Sequence, residues 1–402
     1  MSIISFKKEV TGEIAPTSLT NPEGPVFDIL NCGKFHLPCK GADTVVQLLA
    51  HFEAQSLHLT HNILWSQAVS HEDGGPKGAP IDVLAEPKSS AALLTDVELY
   101  MSLQGLEWVV GNLEVRVIPS RGMCGGQTSW APVRAFHPVT GLPGRGSTID
   151  VCADNLDKIN EAFETDNVMA QQYWMFNLAR LFFHELGHAF TFAALDTDLR
   201  GHCFLGDAKT TEMGFELEQR LFGGIIDDHG IGSTSGPNPK DRLEHLTTLA
   251  EYPCAQISDQ YHDTCYSRGK PCDRIAPQWE VPFTYINRMF QDEFWHNLPS
   301  TGPEASLKFK PTLGCMLKVW PYVPEKGTTL SYVNPRAPGV LPFVPSGFKP
   351  DPNGGYIRRV EAEAEVEAEV EAEVEAEVEA APEAAPGLLS KFLGAVVGTI
   401  RR

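Results

Sequence analysis

Two histidines and a glutamate lie close together in the stretch His184-Glu185-Leu186-Gly187-His188. Residues four apart in a helix lie on the same face, one turn above each other, so both imidazoles can reach a single metal ion. A glutamate directly after the first histidine is placed to act on a water held by that metal. The residue types and their spacing therefore predict a helix that binds a metal and activates water for hydrolysis.

The helix that must carry this motif is predicted over residues 167–195, a stretch without proline. Apolar or small residues surround the motif on most sides, so the helix should be buried nearly all round. Burying two imidazoles and a carboxylate there is costly unless they have a partner, and a metal ion would supply one. The alternative is a buried helix with two hydrogen-bonded histidines and an incidental glutamate.

A third protein ligand is needed, because a catalytic zinc has three and keeps a fourth position for water. A second helix is predicted over residues 210–224, with threonines to cap its start and a glycine pair to end it. Glu212 lies 24 residues after His188, and Glu216 lies one turn further on the same face. Four residues are candidates for this position: Glu212, Glu216, Asp207 and His202.

The motif resembles that of the HExxH zinc metallopeptidases. Their metzincin class continues as H-E-x-x-H-x-x-G-x-x-H, which Thr191 and Ala194 exclude here. The Glu212 and Glu216 pair is similar to the gluzincin pattern, in which a ligand glutamate is followed four residues later by a carboxylate that orients a zinc histidine. The resemblance thus implies that Glu212 is the third ligand and that Glu216 orients a histidine. This likeness covers residues 180–224, although the gluzincin string N-E-x-x-S-D is absent.

The second helix also resembles that of uncharacterised fungal proteins that combine HExxH with the string E-x-G-x-x-L-E-x-x-L-F-G-G. This chain matches that string at the following positions: Glu212, Gly214, Leu217, Glu218, Leu221, Phe222, Gly223 and Gly224. The resemblance implies that the two helices pair, and it brings no known substrate.

The gluzincin resemblance implies a zincin-like α+β fold and a peptidase activity on a peptide or protein substrate. Zn²⁺ would be held by His184, His188 and Glu212, and Glu185 would act as the general base that later delivers a proton to the leaving amine. Three residues are candidates to stabilise the oxyanion: His229, Tyr261 and His262. The alternative function is a catalytically inactive zincin-type scaffold or carrier whose C-terminal peptide is the working part.

The predicted body spans residues 1–355, with a mixed α/β part to about 150, metal-site helices over 165–224 and a C-terminal part over 225–355. In zincins an edge strand before the active-site helix often holds the substrate by backbone pairing. Residues 112–118 and 148–152 are the candidates for that strand. Further helices are predicted in two places: residues 241–250 and 279–298.

The C-terminal tail carries a second signal. Residues 356–386 are predicted to be an acidic, disordered linker, since glutamate alternates with Val or Ala from Val360 to Ala380. Residues 387–402 predict a cationic amphipathic helix, which suits peripheral membrane contact or docking on the body or a partner. The acidic run followed by this peptide resembles the precursors of melittin-like venom peptides.

Charge and composition exclude other classes. The net charge of −20 argues against nucleic-acid binding, which needs a basic face. Nine cysteines without a C-x-x-C pair, and an N-terminal segment without an apolar run, predict a reducing, cytoplasmic compartment. No apolar run reaches 18 residues, so no transmembrane span is predicted. The oligomeric state stays open.

Overall fold

A computed structural model of the chain describes the following residues: 14–20, 24–71, 81–119, 125–134, 144–194, 203–208, 212–230, 245–250, 274–281, 283–301, 307–309, 315–320, 348–350 and 356–358. The chain divides into two compact units, Met1–Val344 with Pro350–Ile357 and Pro345–Lys349 with Arg358–Arg402. The site described below belongs to the first unit. Helices and strands are mixed along it, which confirms the α+β class.

The helices of the described residues fall into an N-terminal group and a group around the motif. They are α1 (Pro25–Leu30), α2 (Ala42–Trp65), α3 (Asp96–Gly111), α4 (Ala153–Glu164), α5 (Val168–Ala194), α6 (Met213–Phe222), α7 (Phe283–Arg288) and α8 (Asp292–Thr301), with a short 3₁₀ helix at Ala91–Leu93. None of these helices is both long enough and apolar enough to cross a membrane.

The strands of the described residues form three sheets. They are β1 (Val69–His71), β2 (Ile81–Leu84), β3 (Leu113–Ile118), β4 (Gly126–Arg134), β5 (Arg145–Cys152), β6 (Cys203–Leu205), β7 (Ile225–Gly230), β8 (His245–Ala250), β9 (Arg274–Glu280), β10 (Cys315–Trp320), β11 (Phe348–Pro350) and β12 (Tyr356–Arg358). The β1-β2-β6 sheet ends in a parallel pair, and β7, β8 and β9 form an antiparallel series. Both β10 and β12 pair antiparallel with β9.

Helix α5 is the centre of the core. Asn167 caps its start by accepting a hydrogen bond from the Ala170 amide at 3.0 Å. The helix packs against α2, α4, α6, β4 and β5, so its apolar residues are covered on nearly every side, as the sequence predicts. Four buried rings meet between α2, α5 and α6 in edge-to-face contacts: Phe52, Phe176, Phe183 and Phe222.

The sheet beside α5 has the order β3-β5-β4, with β3 parallel and β4 antiparallel to β5. The predicted strand at residues 148–152 is therefore the middle strand, whose two edges are already paired. Residues 113–118 do form an edge strand, β3, but β4 is the edge strand whose side chain reaches Glu185. The prediction of an edge strand at residues 148–152 is therefore wrong, because β4 pairs with the other side of β5. The role of β3 in holding a substrate stays a prediction.

Two helix predictions in the C-terminal part are wrong in whole or in part. Residues 245–250 form strand β8, paired with β7 and β9, because strand neighbours on both sides override the weak helical pattern. The predicted helix over residues 279–298 is broken into α7 and α8 by a turn in which Met289 and Phe290 donate to carbonyls three residues back.

The predictions for the C-terminal tail concern residues that lie mostly outside the described ranges. Strand β12 (Tyr356–Arg358) lies where the predicted linker begins. The rest of that linker, residues 359–386, and the predicted amphipathic helix over 387–402 lie outside the described residues. Membrane contact through this peptide stays a prediction.

Candidate metal centre

Helices α5 and α6 approach each other closely at two glycines. A methyl group on Gly214 would lie 2.5 Å from the imidazole of His184, and one on Gly187 would lie 2.8 Å from a methyl of Leu217 and 3.4 Å from the Gly214 Cα. A side chain at Gly214 would push the helices apart, whereas one at Gly187 would require the end of the Leu217 side chain to move. The glycines therefore let the start of α6 lie directly against the motif.

This close approach brings together His184, His188 and Glu212. Oε1 of Glu212 lies 2.6 Å from Nε2 of His188 and 3.7 Å from Nε2 of His184. His184 and Glu212 are buried, while the His188 side chain is 26% exposed, so the group has one side open to solvent. The three residues that the sequence singles out as ligands therefore converge on one point.

Glu212 is fixed by its position at the end of a helix. It is the N-cap residue of α6, and its Oε2 accepts a hydrogen bond from the Phe215 amide at 2.7 Å. That bond leaves Oε1 directed at the two imidazoles. The same carboxylate thus caps the helix with one oxygen and faces the histidines with the other.

A chain of charged groups holds His184 from behind. Nδ1 of His184 lies 2.9 Å from Oε1 of Glu218, whose Oε2 accepts from Nη1 of Arg180 at 2.8 Å. A carboxylate on Nδ1 fixes the proton there and leaves Nε2 with a lone pair, which is the arrangement that metal-binding histidines use. Arg180, one turn before His184, keeps the Glu218 carboxylate in place.

Glu185 is held by the neighbouring sheet. Oγ1 of Thr128, on β4, donates to Oε2 of Glu185 at 2.6 Å and lies 3.1 Å from the Glu185 carbonyl oxygen. Glu185 is itself buried, and Glu212, not Glu185, contacts the imidazoles of the motif. Its carboxylate is therefore a separate acceptor beside the group of three.

The charges at this site are strongly coupled. Burial alone would lower the pKa of His184, but Glu212, Glu218 and Glu185 outweigh it and raise that pKa to about 9. The pKa of His188 is also raised, since the neighbouring carboxylates again outweigh burial. Burial would raise the pKa of Glu212, yet the two histidines lower it to about 2. The carboxylates around the two histidines therefore favour positive charge at this place.

A metal ion fits the same place. A tetrahedral zinc with ligands at about 2.0–2.2 Å separates its ligand atoms by roughly 3.4 Å. The ligand atoms of His184, His188 and Glu212 all lie within 4.8 Å of one another, so small side-chain rotations suffice for all three to reach one ion. Two imidazole nitrogens and one carboxylate oxygen are suitable donors. The group could therefore hold a metal ion.

Glu216 does not take the place predicted for it. Its Oε1 accepts from Nε of Arg220 at 2.7 Å, away from both histidines, and burial raises its pKa to about 7 against the effect of that arginine. Glu218 is the carboxylate that contacts His184. The prediction fails because Glu212 is a cap with extended backbone, so the four-residue helical spacing no longer places Glu216 beside it.

Asp207, another rival for the third ligand, also lies elsewhere. Asp207 accepts from Nη2 of Arg220 at 2.8 Å, and Nη1 of the same arginine donates to Glu86 at 2.7 Å. His202 lies outside the described residues. We call the group of Arg220, Glu216, Glu86 and Asp207 the arginine cluster, and it joins α6 to the segments that follow β2 and β6.

The residues suggested for the oxyanion stay predictions. His229 lies on β7, and Tyr261 and His262 lie outside the described residues. The sequence reasoning also missed Glu218, Arg180 and Thr128. Arg180 could have been found, because it lies one turn before His184 on the same helix face, whereas Thr128 comes from a distant strand.

Comparisons with known proteins add no identity. No protein-family model matches the chain, and neither a curated protein nor a solved structure matches it.

Proposed function

We propose that this protein is a zinc-dependent peptidase of gluzincin-like type with a zincin-like fold. The observation that carries the proposal is the position of a buried glutamate, Glu185, beside two histidines and Glu212 that converge on one point. A structural cluster of histidines and carboxylates would not need a further carboxylate held apart from it. Hydrolysis needs one, because a proton must be moved while the metal polarises the bond.

Zinc is the proposed ion, and it would supply a Lewis acid and a water of lowered pKa. His184, His188 and Glu212 would hold it, and Glu218 would keep the His184 imidazole in the right tautomer. Glu185 would accept a proton and return it to the leaving amine. Thr128 fixes the orientation of that carboxylate by its hydrogen bond to Oε2.

The substrate of this proposal is a peptide or protein. The supporting features are the HExxH helix, the ligand on a second helix and the unpaired edge of β4 among the described strands, which runs beside Glu185. A scaffold without catalysis would keep the metal but would not need the Glu185 and Thr128 pair. The test must therefore separate metal binding from turnover.

Glu185→Gln is that test. The full chain should keep bound zinc at one ion per chain, while hydrolysis of a mixed peptide library falls by about 10²- to 10⁴-fold, because the proton acceptor is lost. Zinc is measured by elemental analysis and cleavage by mass spectrometry. Glu161→Gln, an exposed change on α4, is the matched control and should keep full activity.

Undiminished cleavage by Glu185→Gln would reject this mechanism. Zinc binding without cleavage of any peptide by the unchanged chain would reject the peptidase and favour the inactive scaffold.

A further inference from the structure

Large hydrophobic side chains reach solvent mainly at the start of α3. Seven such side chains are exposed among the described residues, and four of them lie within residues 93–100. These four are Leu93, Val97, Leu99 and Tyr100, and the exposed fraction reaches 67% at Val97 and 61% at Tyr100. Single exposed apolar residues are ordinary, whereas a cluster of them often marks a surface that another molecule covers.

The exposed face continues along the whole of α3. Residues on one face of a helix recur at alternating spacings of three and four, and five residues of α3 follow that rule: Val97, Tyr100, Gln104, Glu107 and Gly111. We call these five residues the α3 stripe. Gln104 is half-buried and the other four are exposed, while the buried residues of the helix lie on its other side.

The two ends of the α3 stripe differ in shape. At the start, the side chains of Val97 and Tyr100 project into solvent. At the end, Gly111 has no side chain, and a methyl group there would have nothing within 4 Å. Helices pack by placing large side chains of one helix into gaps on the surface of the other. The stripe therefore carries a projecting ring at one end and an open gap at the other.

The two ends of α3 also differ in charge. In the first turn Glu98 pairs with Lys88, whereas Asp96 is exposed and pairs with no side chain of the described residues. At the other end, Nζ of Lys34 donates to the carbonyl oxygens of the last two helix residues at 2.6 and 2.7 Å. No carboxylate of the described residues pairs with this ammonium group. A negative charge at the start of α3 and a positive charge at its end are thus both without an opposite charge.

We propose that α3 pairs antiparallel with α3 of a second copy of this chain, about a two-fold axis between Gln104 and Glu107. A two-fold axis brings the unlike ends of the two helices together. Tyr100 then packs over Gly111 of the second copy, where the missing side chain leaves room. Lys34, which lies just beyond the end of the helix, comes level with the first turn of the second copy and pairs with Asp96 there. A parallel pair would instead place like charges together.

The polar middle of the stripe suits the same arrangement. Within one helix, Nε2 of Gln104 donates to Oε2 of Glu107 at 3.1 Å. Around the proposed axis each Glu107 lies opposite Gln104 of the second copy, whose amide can donate to it, so the two carboxylates are not opposite each other. One helix pair is a small interface, and we expect a dissociation constant of about 1–100 μM. The dimer does not depend on the proposed peptidase function.

Sedimentation velocity of the full chain over about 1–200 μM measures this association. The unchanged chain should pass from the mass of one chain to that of two. Tyr100→Gln should weaken the dimer by about 10-fold or more, because buried aromatic side chains dominate small interfaces. Leu99→Gln is the matched control on the same helix, since Leu99 is also exposed but lies about 100° round the helix from Tyr100. It should keep the dissociation constant within about threefold.

Charge reversal tests the antiparallel arrangement. Lys34→Glu and Asp96→Lys each bring like charges together twice in the dimer, so each variant alone should associate at least about 10-fold more weakly than the unchanged chain. In a one-to-one mixture of the two variants, both contacts again join opposite charges, and association should return to within about threefold of the unchanged chain. Glu161→Lys, an exposed change on α4, is the control and should have no effect.

Three results would overturn the dimer. One is an unchanged chain that stays at the mass of one chain throughout the concentration range, and another is a dimer that Tyr100→Gln leaves intact. The third is a mixture of the two charge variants that associates no better than either variant alone. Circular dichroism shows whether each variant folds, and a gain on mixing cannot come from misfolding. If Lys34→Glu does not fold, the comparison of Tyr100→Gln with Leu99→Gln still decides.

Discussion

Helix α6 holds buried carboxylates in two different settings. Glu212 and Glu218 face the histidines of α5, while Glu216, on another side of the same helix, faces Arg220 in the arginine cluster. Both settings place negative charge where water is scarce, and both balance it with a cation. The cations differ, because a histidine can give up its proton and an arginine cannot.

This difference separates a candidate metal site from a structural cluster of ion pairs. Protons on His184 and His188 can be replaced by a metal ion, so the charge balance of the first setting survives an exchange of cations. The arginine cluster has no such freedom. Its Nε, Nη1 and Nη2 donate to Glu216, Glu86 and Asp207, and its effect is to hold α6 against two loops.

Replacing one carboxylate in each setting tests the contrast most strongly. Glu212→Gln should weaken zinc binding by more than about 100-fold, since losing a ligand costs more than losing an outer partner. Glu216→Gln should leave zinc affinity unchanged within about threefold, because the ion pair described for this side chain is with Arg220 and not with a histidine. Competition with a coloured chelator measures both. Similar losses in the two variants would mean that the settings are not separate.

Glu218→Gln should have a smaller effect on the same measurement. The amide can still accept from the His184 imidazole but no longer pairs with Arg180 as an ion, so zinc affinity should fall by about 10- to 100-fold. Glu185→Gln is the comparison variant here and should keep its zinc. An unchanged affinity in Glu218→Gln would show that the histidine needs no support from this carboxylate.

Gly214→Ala should destabilise the fold by about 1–3 kcal/mol, because the added methyl meets the His184 ring at 2.5 Å and the helices must separate. Zinc should restore less of the melting temperature than it does in the unchanged chain. Gly111→Ala is the control, since its methyl would have nothing within 4 Å. It should be neutral or slightly stabilising. A Gly214→Ala chain as stable as the control would contradict the close crossing of α5 and α6.

The pH dependence of stability should show the smallest effect. Without metal, the raised pKa values of His184 and His188 give stability that is complete below about pH 6.5 and is lost as pH rises toward 9. The raised pKa of Glu216 acts in the same direction between about pH 4.5 and 7. With a chelator the melting temperature should therefore fall by about 3 °C or more from pH 6.5 to 9.

Zinc should remove or reverse that fall, because the ion binds neutral imidazoles and competes less with protons at high pH. Differential scanning calorimetry at matched ionic strength checks both curves. A metal-free chain that becomes more stable above pH 7 would contradict the charge balance described for the site.

The sequence predicts the group of possible metal ligands better than the surrounding fold. The motif helix follows from a proline-free apolar run, and the structure describes it over Val168–Ala194, within the predicted residues 167–195. Glu212 follows from the resemblance to the gluzincin ligand glutamate. The partner of His184 does not follow from the sequence, because Glu212 caps α6 with an extended backbone. As a result Glu218, and not Glu216, lies beside His184.

Contacts between residues far apart in the sequence could not be predicted. Thr128 reaches Glu185 from a strand 57 positions away, and no local pattern marks it. The short segment over 245–250 becomes a strand because neighbouring strands pair with it. Local patterns thus predict the elements with strong periodicity. Where the periodicity is weak, long-range strand pairing determines whether a segment becomes a helix or a strand.

The crossing at Gly187 and Gly214 also offers a sequence marker. HExxH arises by chance in many unrelated chains, whereas this helix contact needs a glycine two residues after the glutamate that faces the histidines. A distant sequence that keeps the histidines but carries a larger residue in place of Gly214 would have the motif without the helix contact. Gly214 is therefore the position to inspect first when such a site is sought in other proteins, and Gly187 comes second.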